Sequence, residues 1–332
     1  MAQYIVRRFI YMILLLILSS MVVYILIELP PGDWITNYIH FLERFGYEVD
    51  EAFVDKLQER WGFRDPVYVQ YFKWFTNIVI RGDFGESAVY QMPVADLIGE
   101  RIALSMALSF STFIFSTLIV WPVAIYVSTH AYTGTDYTVT VFGFLGLATP
   151  NFLLALILMF LLQRYLGWSP GGLFSPDYVA APWSFAKVID LIKHMPVPIF
   201  VIGTAGTAGG IRSLRAVIMD ELGKQYVVTA RAKGVGELRL LFKYPIRLAL
   251  NPWASGVGGF FVGLISGEAL TSIVLSLPTV GPLMLTSLLQ QDLQLAASLL
   301  LFTFALGLIG TLMSDLILVL VDPRIRFEKR QT

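Results

Sequence analysis

The sequence contains no cysteine, which excludes disulfides, thiolate zinc sites, iron–sulfur clusters and thiol nucleophiles together, and leaves redox compartment unreadable. Charge is scarce as well. Asp, Glu, Lys and Arg make up 14% of the 332 residues while apolar residues reach 56% and mean hydropathy is +0.68; an average soluble domain carries about 25% charged residues. An ordinary soluble globule is excluded. With 24 basic and 24 acidic residues the net charge is zero, so the overall balance gives no case for a nucleic-acid partner. The three histidines, His40, His130 and His194, have no partner at i+3 or i+4 and make no metal site. No G-x-x-x-x-G-K-S/T phosphate loop occurs: Leu222-Gly-Lys-Gln225 lacks both the first glycine and the hydroxyl residue. The serines between Ser105 and Ser116, and Ser255, stand in no G-x-S-x-G or S-x-x-K arrangement. Hydroxyls in membrane helices more often bond to backbone carbonyls. The chain therefore reads as a non-enzyme that binds no cofactor or metal itself.

What is present is long uncharged apolar sequence. Residues 9–27, 102–129, 137–163, 195–211, 248–267 and 293–314 are each free of Asp, Glu, Lys and Arg. The first run alone spans about 28 Å as a helix, close to the hydrocarbon thickness of a bilayer. It is too long for a signal-peptide core and ends in no A-x-A-like site, so it reads as a retained anchor. A further uncharged stretch, 269–291, follows Glu268 and contains Pro278, Gly281 and Pro282; these break a helix, and a looped or re-entrant segment is expected. Six spans put Arg7 and Arg8, eight basic residues between Arg212 and Arg247, and Arg324, Arg326, Lys329 and Arg330 on one side. By the positive-inside bias that side is cytoplasmic, and both termini with it. The predicted fold class is an all-α polytopic membrane protein. Residues 1–29 form the anchor helix, and 30–100, rich in aromatic and acidic residues, a small extracytoplasmic domain. Residues 101–332 form a core with five further membrane helices and a cytoplasmic loop at 220–247.

That loop carries the sharpest local pattern. Leu222, Tyr226, Val227 and Ala230 fall at i, i+4, i+5 and i+8, the stripe of a short amphipathic helix. Asp220 and Glu221 are placed at its start and Arg231 and Lys233 at its end, each the favourable sign for the helix dipole. Gly234 supplies the stop, and 237–247 reads as a second short helix. An apolar stripe at the inner surface needs a cover, either lipid headgroups or a groove on a partner. Two other features invite functional readings. Gly259, Gly263 and Gly267 repeat every four residues, as Gly206 and Gly210 do. This spacing permits close helix packing or lines a path between subunits. Glu268 and Asp315 are ionisable residues near ends of apolar runs, where solvation at the interface and a proton relay compete as explanations.

Tyr226-Val-Val-Thr-Ala-Arg-Ala-Lys-Gly234 resembles the coupling-loop signature of the inner-membrane permease subunits of dipeptide and oligopeptide ABC importers. The resemblance continues along most of the chain. It takes in Glu28-Leu-Pro-Pro-Gly-Asp33, Trp61-Gly-Phe-Arg-Asp-Pro-Val-Tyr-Val-Gln-Tyr71, Arg81-Gly-Asp-Phe-Gly-Glu-Ser87, Pro93-Val-Ala-Asp-Leu-Ile98, Leu277-Pro-Thr-Val-Gly-Pro282 and Asp322-Pro-Arg-Ile-Arg326. Val228-Thr229-Ala230 stands where the broader importer motif has Glu-Ala-Ala, Leu277 and Thr279 depart from the common peptide-permease loop, and 165–197 does not align. The last two departures bear on the solute.

The resemblance implies a type I ABC importer permease with six transmembrane helices and cytoplasmic coupling helices at 220–238. The contacts it implies with the ATPase are Glu221, Tyr226, Ala230, Arg231, Ala232, Lys233, Gly234 and Leu238. It also implies ATP and Mg on two partner ATPase subunits, a second and paralogous permease subunit, an extracytoplasmic solute-binding protein and a prokaryotic inner-membrane location. A peptide-like solute is implied, with oligosaccharides or opine-like compounds as the alternative. A self-contained secondary transporter driven by an ion gradient is the competing class; it would rely on Glu268, Asp315 and the break at Pro278 to Pro282.

Overall fold

Helix α1 (Ala2–Glu28) is built on the first uncharged run and stops where Pro30 disfavours further helix. The computed structural model describes residues 2–30, 32, 34–45, 49–61, 65–266 and 269–321. Gly267, Glu268, and the tail residues Arg324, Arg326, Lys329 and Arg330 lie outside the described residues, as does the side chain of His40. The acidic, aromatic stretch that follows α1 folds as α2 (Trp34–Arg44), α3 (Glu51–Trp61), α4 (Val67–Arg81) and a hairpin of two-residue strands. The hairpin strands β1 (Glu86–Ser87) and β2 (Met92–Pro93) pair antiparallel, Glu86 opposite Pro93 and Ser87 opposite Met92.

Next comes α5 (Val94–Thr129), 36 residues long with Pro122 inside it. The third apolar run, read from sequence as one span, is two helices, α6 (Gly134–Ala148) and α7 (Asn151–Leu166), bent by 100° at their junction. Pro150 is the cause: it forces Thr149 out of the helical region, to φ −86° and ψ 118°. A short α8 (Pro176–Val179) and α9 (Phe185–His194) precede α10 (Pro196–Leu222); α11 (Gln225–Ala232), α12 (Glu237–Lys243) and α13 (Pro245–Ser266) follow. The segment expected to be broken forms α14 (Ala269–Val274) and α15 (Val280–Leu289), with residues 275–279 between them outside any helix. The last element is α16 (Leu293–Val321).

Among the described residues four helices, within α1, α5, α10 and α16, are long and apolar enough to cross a membrane, or five if the bent pair α6–α7 is one span. Helix α13 is 22 residues long, but Arg247, Asn251, Pro252 and a run of glycines dilute its apolar character.

The chain divides into two compact units, Met1–Ser105 with Pro278–Leu308, and Met106–Leu277 with Ile309–Thr332. In the first, Tyr24 of α1, Tyr71 and Trp74 of α4, and Leu293, Ala297 and Leu301 of α16 form one buried cluster. Tyr24 meets Tyr71 edge to face at 5.6 Å, and the Tyr71 hydroxyl shares a hydrogen bond with Ser20 at 2.9 Å. Asp292 fastens the hairpin to the start of α16: it accepts from the Ser87 hydroxyl and the Val89 N–H with one oxygen, and from the Leu295 N–H with the other. Gln294 adds a bond from the Glu86 N–H at 2.8 Å, and Gln291 one from the Asn37 amide at 2.9 Å. In the second unit Val120 and Ala124 of α5, Leu214 and Ile218 of α10, Leu241 of α12, and Ile246 and Ala249 of α13 pack into a core. This core anchors the base of the hairpin described next.

Candidate functional site

Between α10 and α13 the chain turns back on itself as the pair α11–α12. Helix α10 has no breaker between Gly210 and Gly223, so Asp220 and Glu221 fall in its last turn rather than at the start of the next helix, which corrects the sequence placement. The dipole gives them no support there; cross-joint partners do. Asp220 pairs with Lys224 at 2.9 Å, and the hydrogen bond and charge of that carboxylate raise the Lys224 ammonium above its usual range. Glu221 accepts the hydroxyl of Tyr226.

The end of α11 follows the sequence reading closely. Gly234 adopts φ +80°, its N–H bonds to the Arg231 carbonyl at 2.9 Å, and the Val235 N–H bonds to the Ala230 carbonyl at 3.2 Å. These two bonds are the paired closure of a Schellman motif, which needs a left-handed residue at Gly234. Arg231 then reaches across the turn with both forks, Nε to Glu237 Oε1 at 2.6 Å and a terminal nitrogen to Oε2 at 3.1 Å. That hydrogen bond, and then the guanidinium charge, hold the Glu237 carboxyl below the usual range.

The cover for the apolar stripe lies within the chain. Val227 and Ala230 are buried against Leu240 of α12, with Leu222, Val235 and Tyr244 packed around them. Ala230, 7% exposed, therefore supports the hairpin from inside. Tyr226, Arg231, Ala232, Lys233, Gly234 and Leu238 remain on its outer surface, and Glu221 is half-buried. Leu238 and Phe242, one turn apart on the free face of α12, are 75% and 62% exposed. Sequence reasoning missed Phe242 and the exposed Val228. The signal for Phe242 was its i+4 relation to Leu238, opposite Leu240 and Leu241.

Within this chain the glycine repeat makes no close helix contact at Gly259 or Gly263. At Gly259 and Gly263 an added Cβ would meet nothing within 4 Å, whereas at Gly258 it would lie 2.5 Å from the Gly310 carbonyl carbon. The close crossing of α13 and α16 is therefore at Gly258 and Gly310, and the Gly258 N–H donates to Ser314 Oγ at 2.8 Å. Asp315 lies inside α16, which continues to Val321 past the run's predicted end. Several hydroxyls serve structure. Thr112 and Ser255 donate to carbonyls four residues back, Thr207 donates to Ser116, and Ser105 accepts the Val280 N–H at the start of α15. No group of three or more His, Cys, Asp or Glu that could hold a metal occurs among the described residues.

The segment between α7 and α10, which the sequence left unassigned, is organised around α9. Asp190 accepts from the Ser175 N–H and the Ser175 hydroxyl, both at 2.7 Å. Lys187, 2% exposed, donates to the Ala181 carbonyl and sits over the rings of Phe174 and Trp183. Burial pushes the Asp190 carboxyl up, but the Ser175 bonds and the charges of His194 and Lys193 outweigh it and hold the group below its usual range.

Comparison with known proteins bears on this arrangement. Residues 121–327 match the family described as "Binding-protein-dependent transport system inner membrane component", and residues 1–109 match its N-terminal membrane-component family. The chain is 33% identical to the oligopeptide transport system permease protein AppB of Bacillus subtilis (strain 168), over 98% of this chain and 100% of the relative. It is 28% identical to the oligopeptide transport system permease protein OppB of Mycobacterium tuberculosis (strain ATCC 25618 / H37Rv), over 98% and 99%. The inner membrane ABC transporter permease protein YejB of Escherichia coli O157:H7 is 32% identical, over 86% of this chain and 79% of the relative.

Proposed function

The chain belongs to the family of inner-membrane components of binding-protein-dependent transport systems, and from that premise we propose that it forms half of the path by which an ATP-driven importer brings a peptide-like solute across the membrane. Six spans, with α13 as the fifth and both termini cytoplasmic, place α11–α12 at the inner surface and residues 30–100 outside. ATP with Mg is bound and hydrolysed by two separate ATPase subunits, a second and paralogous permease completes the path, and an extracytoplasmic binding protein delivers the solute. The peptide class is supported by the names of the relatives, AppB and OppB.

The observation that carries the reading is the α11–α12 hairpin. It buries Val227 and Ala230 of its stripe and presents Tyr226, Arg231, Ala232, Lys233, Gly234 and Leu238 outward, with Glu221 beside them. Exposed aromatic, arginine and leucine side chains on a preformed helix pair suit a helix-in-groove contact. Paired closure of the ATPases on ATP would displace this pair and rock the spans between inward-open and outward-open forms.

The test is co-purification of the tagged chain from its native membrane, in parallel with Leu238→Asp. The wild type is expected to bring down an ATPase subunit carrying a phosphate loop. Leu238→Asp is expected to reduce that recovery more than about tenfold, with the same amount of chain in the membrane. Recovery of the chain alone, together with solute uptake under an ion gradient without ATP, would reject the importer reading.

A further inference from the structure

A slot of about 170 Å³ runs between α6 and α10, lined by Gly143, Phe144, Leu147, Ala208, Arg212 and Arg215 among others. Its two ends differ in chemistry. Arg212 is the first charged residue after the uncharged run 195–211 of α10, and Asp136 is the last before the uncharged run that starts at residue 137 in α6. The arginines therefore mark one edge of the apolar surface, the level at which headgroups meet acyl chains. Arg215 is spoken for: Nε and a terminal nitrogen hold both oxygens of the buried Asp136 at 2.7 and 2.6 Å. Arg212 is exposed and makes no ion pair among the described residues. Its guanidinium lies over the Phe144 ring, 5.4 Å from the centroid.

We propose that this slot binds one anionic phospholipid, its phosphate on Arg212 and one acyl chain along Gly143, Leu147 and Ala208. With Arg215 and Asp136 neutralising each other, the site carries one uncompensated positive charge, matching a single phosphodiester. The Phe144 ring faces the Arg212 guanidinium, whose N–H donors suit paired bonds to phosphate oxygens. At Gly143 an added Cβ would meet nothing within 4 Å, so the wall there is open along the chain's path. The orientation proposed above puts the lipid in the cytoplasmic leaflet; the site itself requires only that α6 and α10 lie in a bilayer.

The experiment uses the assembled transporter, stripped of lipid and titrated with phosphatidylglycerol or phosphatidylcholine, with bound lipids counted by native mass spectrometry. The wild type is expected to hold one phosphatidylglycerol about fivefold more tightly than Arg212→Gln, and to prefer it to phosphatidylcholine by a similar factor. Gly143→Leu is expected to lose that lipid because the side chain fills the slot. Since Arg212 is exposed, Arg212→Gln decides the matter even where Gly143→Leu fails to assemble. Equal binding of the two lipids, or equal retention by Arg212→Gln, overturns the proposal. So does displacement by inorganic phosphate, which would make the site one for a small anion, or dissociation of the permease pair in Arg212→Gln, which would make it a protein contact. Each of these results leaves ATPase recovery by the hairpin, and so the transport reading, standing.

Discussion

At Gly234 the left-handed conformation costs most L-residues roughly 1–2 kcal/mol, and an added Cβ would meet nothing within 4 Å. The penalty is therefore one of backbone conformation. Gly234→Val is expected to reduce ATP-coupled uptake by roughly fivefold or more, while Gly234→Asn, which tolerates positive φ, keeps most of it. Uptake measured on both variants checks this; equal loss would trace the effect to a steric clash with a partner. Asp190 gives a second residue-scale expectation. Its folded carboxyl is depressed below the ordinary value, so the stabilisation is complete above the ordinary carboxylate range near pH 4 and is lost as pH falls through the lower folded value. Thermal melting between pH 7 and pH 3 should show Asp190→Asn lower by about 1–3 kcal/mol at neutral pH, with the gap to wild type narrowing in acid. A constant gap would mean the ionised form is not what matters.

At the scale of elements, the crossing of α13 on α16 is set where the two backbones approach at Gly258 and Gly310. Gly258→Ala is expected to force the helices apart at a cost of about 1–3 kcal/mol, seen as a lower melting temperature. Gly259→Ala and Gly263→Ala should melt as the wild type does. Sequence periodicity picked out 259 and 263, the one pair four apart among the glycines at 256, 258, 259 and 263, whereas the glycine that meets α16 is Gly258, a choice that depends on a helix some fifty residues away. The same divide runs through the chain. Apolar runs free of charge were legible because a bilayer imposes their length, and the stop at Gly234 was legible because its cause is local. The bend at Pro150 was readable in principle, yet the absence of charge across 137–163 masked it. The cover of Val227 and Ala230 by Leu240, and the clamp of Asp292 on Ser87, were not legible, since each depends on a residue brought in by a separate element.

For the whole molecule, the absence of cysteine makes sidedness directly measurable. Asp177 in α8 and Arg239 in α12 are both exposed, and one proposed span, α10, separates them. Single-cysteine variants at these positions are expected to react with a membrane-impermeant maleimide from opposite sides, Asp177→Cys in intact cells and Arg239→Cys in inverted vesicles. Labelling of both from one side would remove α10 as a crossing and with it the six-span arrangement.

A helix pair that carries its own core does not have to fold when a partner arrives. In the proposed coupling role, binding to it would cost no backbone folding entropy, so the partner could let go and return each cycle without the pair melting, and a push at Leu238 would move both helices as one stiff arm. Compliance is left to the two joints, at Gly223 where the arm leaves α10 and at Tyr244 where it meets α13. In the proposed importer the stroke delivered to the spans would be governed by backbone rotation at these two residues, and stiffening either joint should shorten it without loosening the grip.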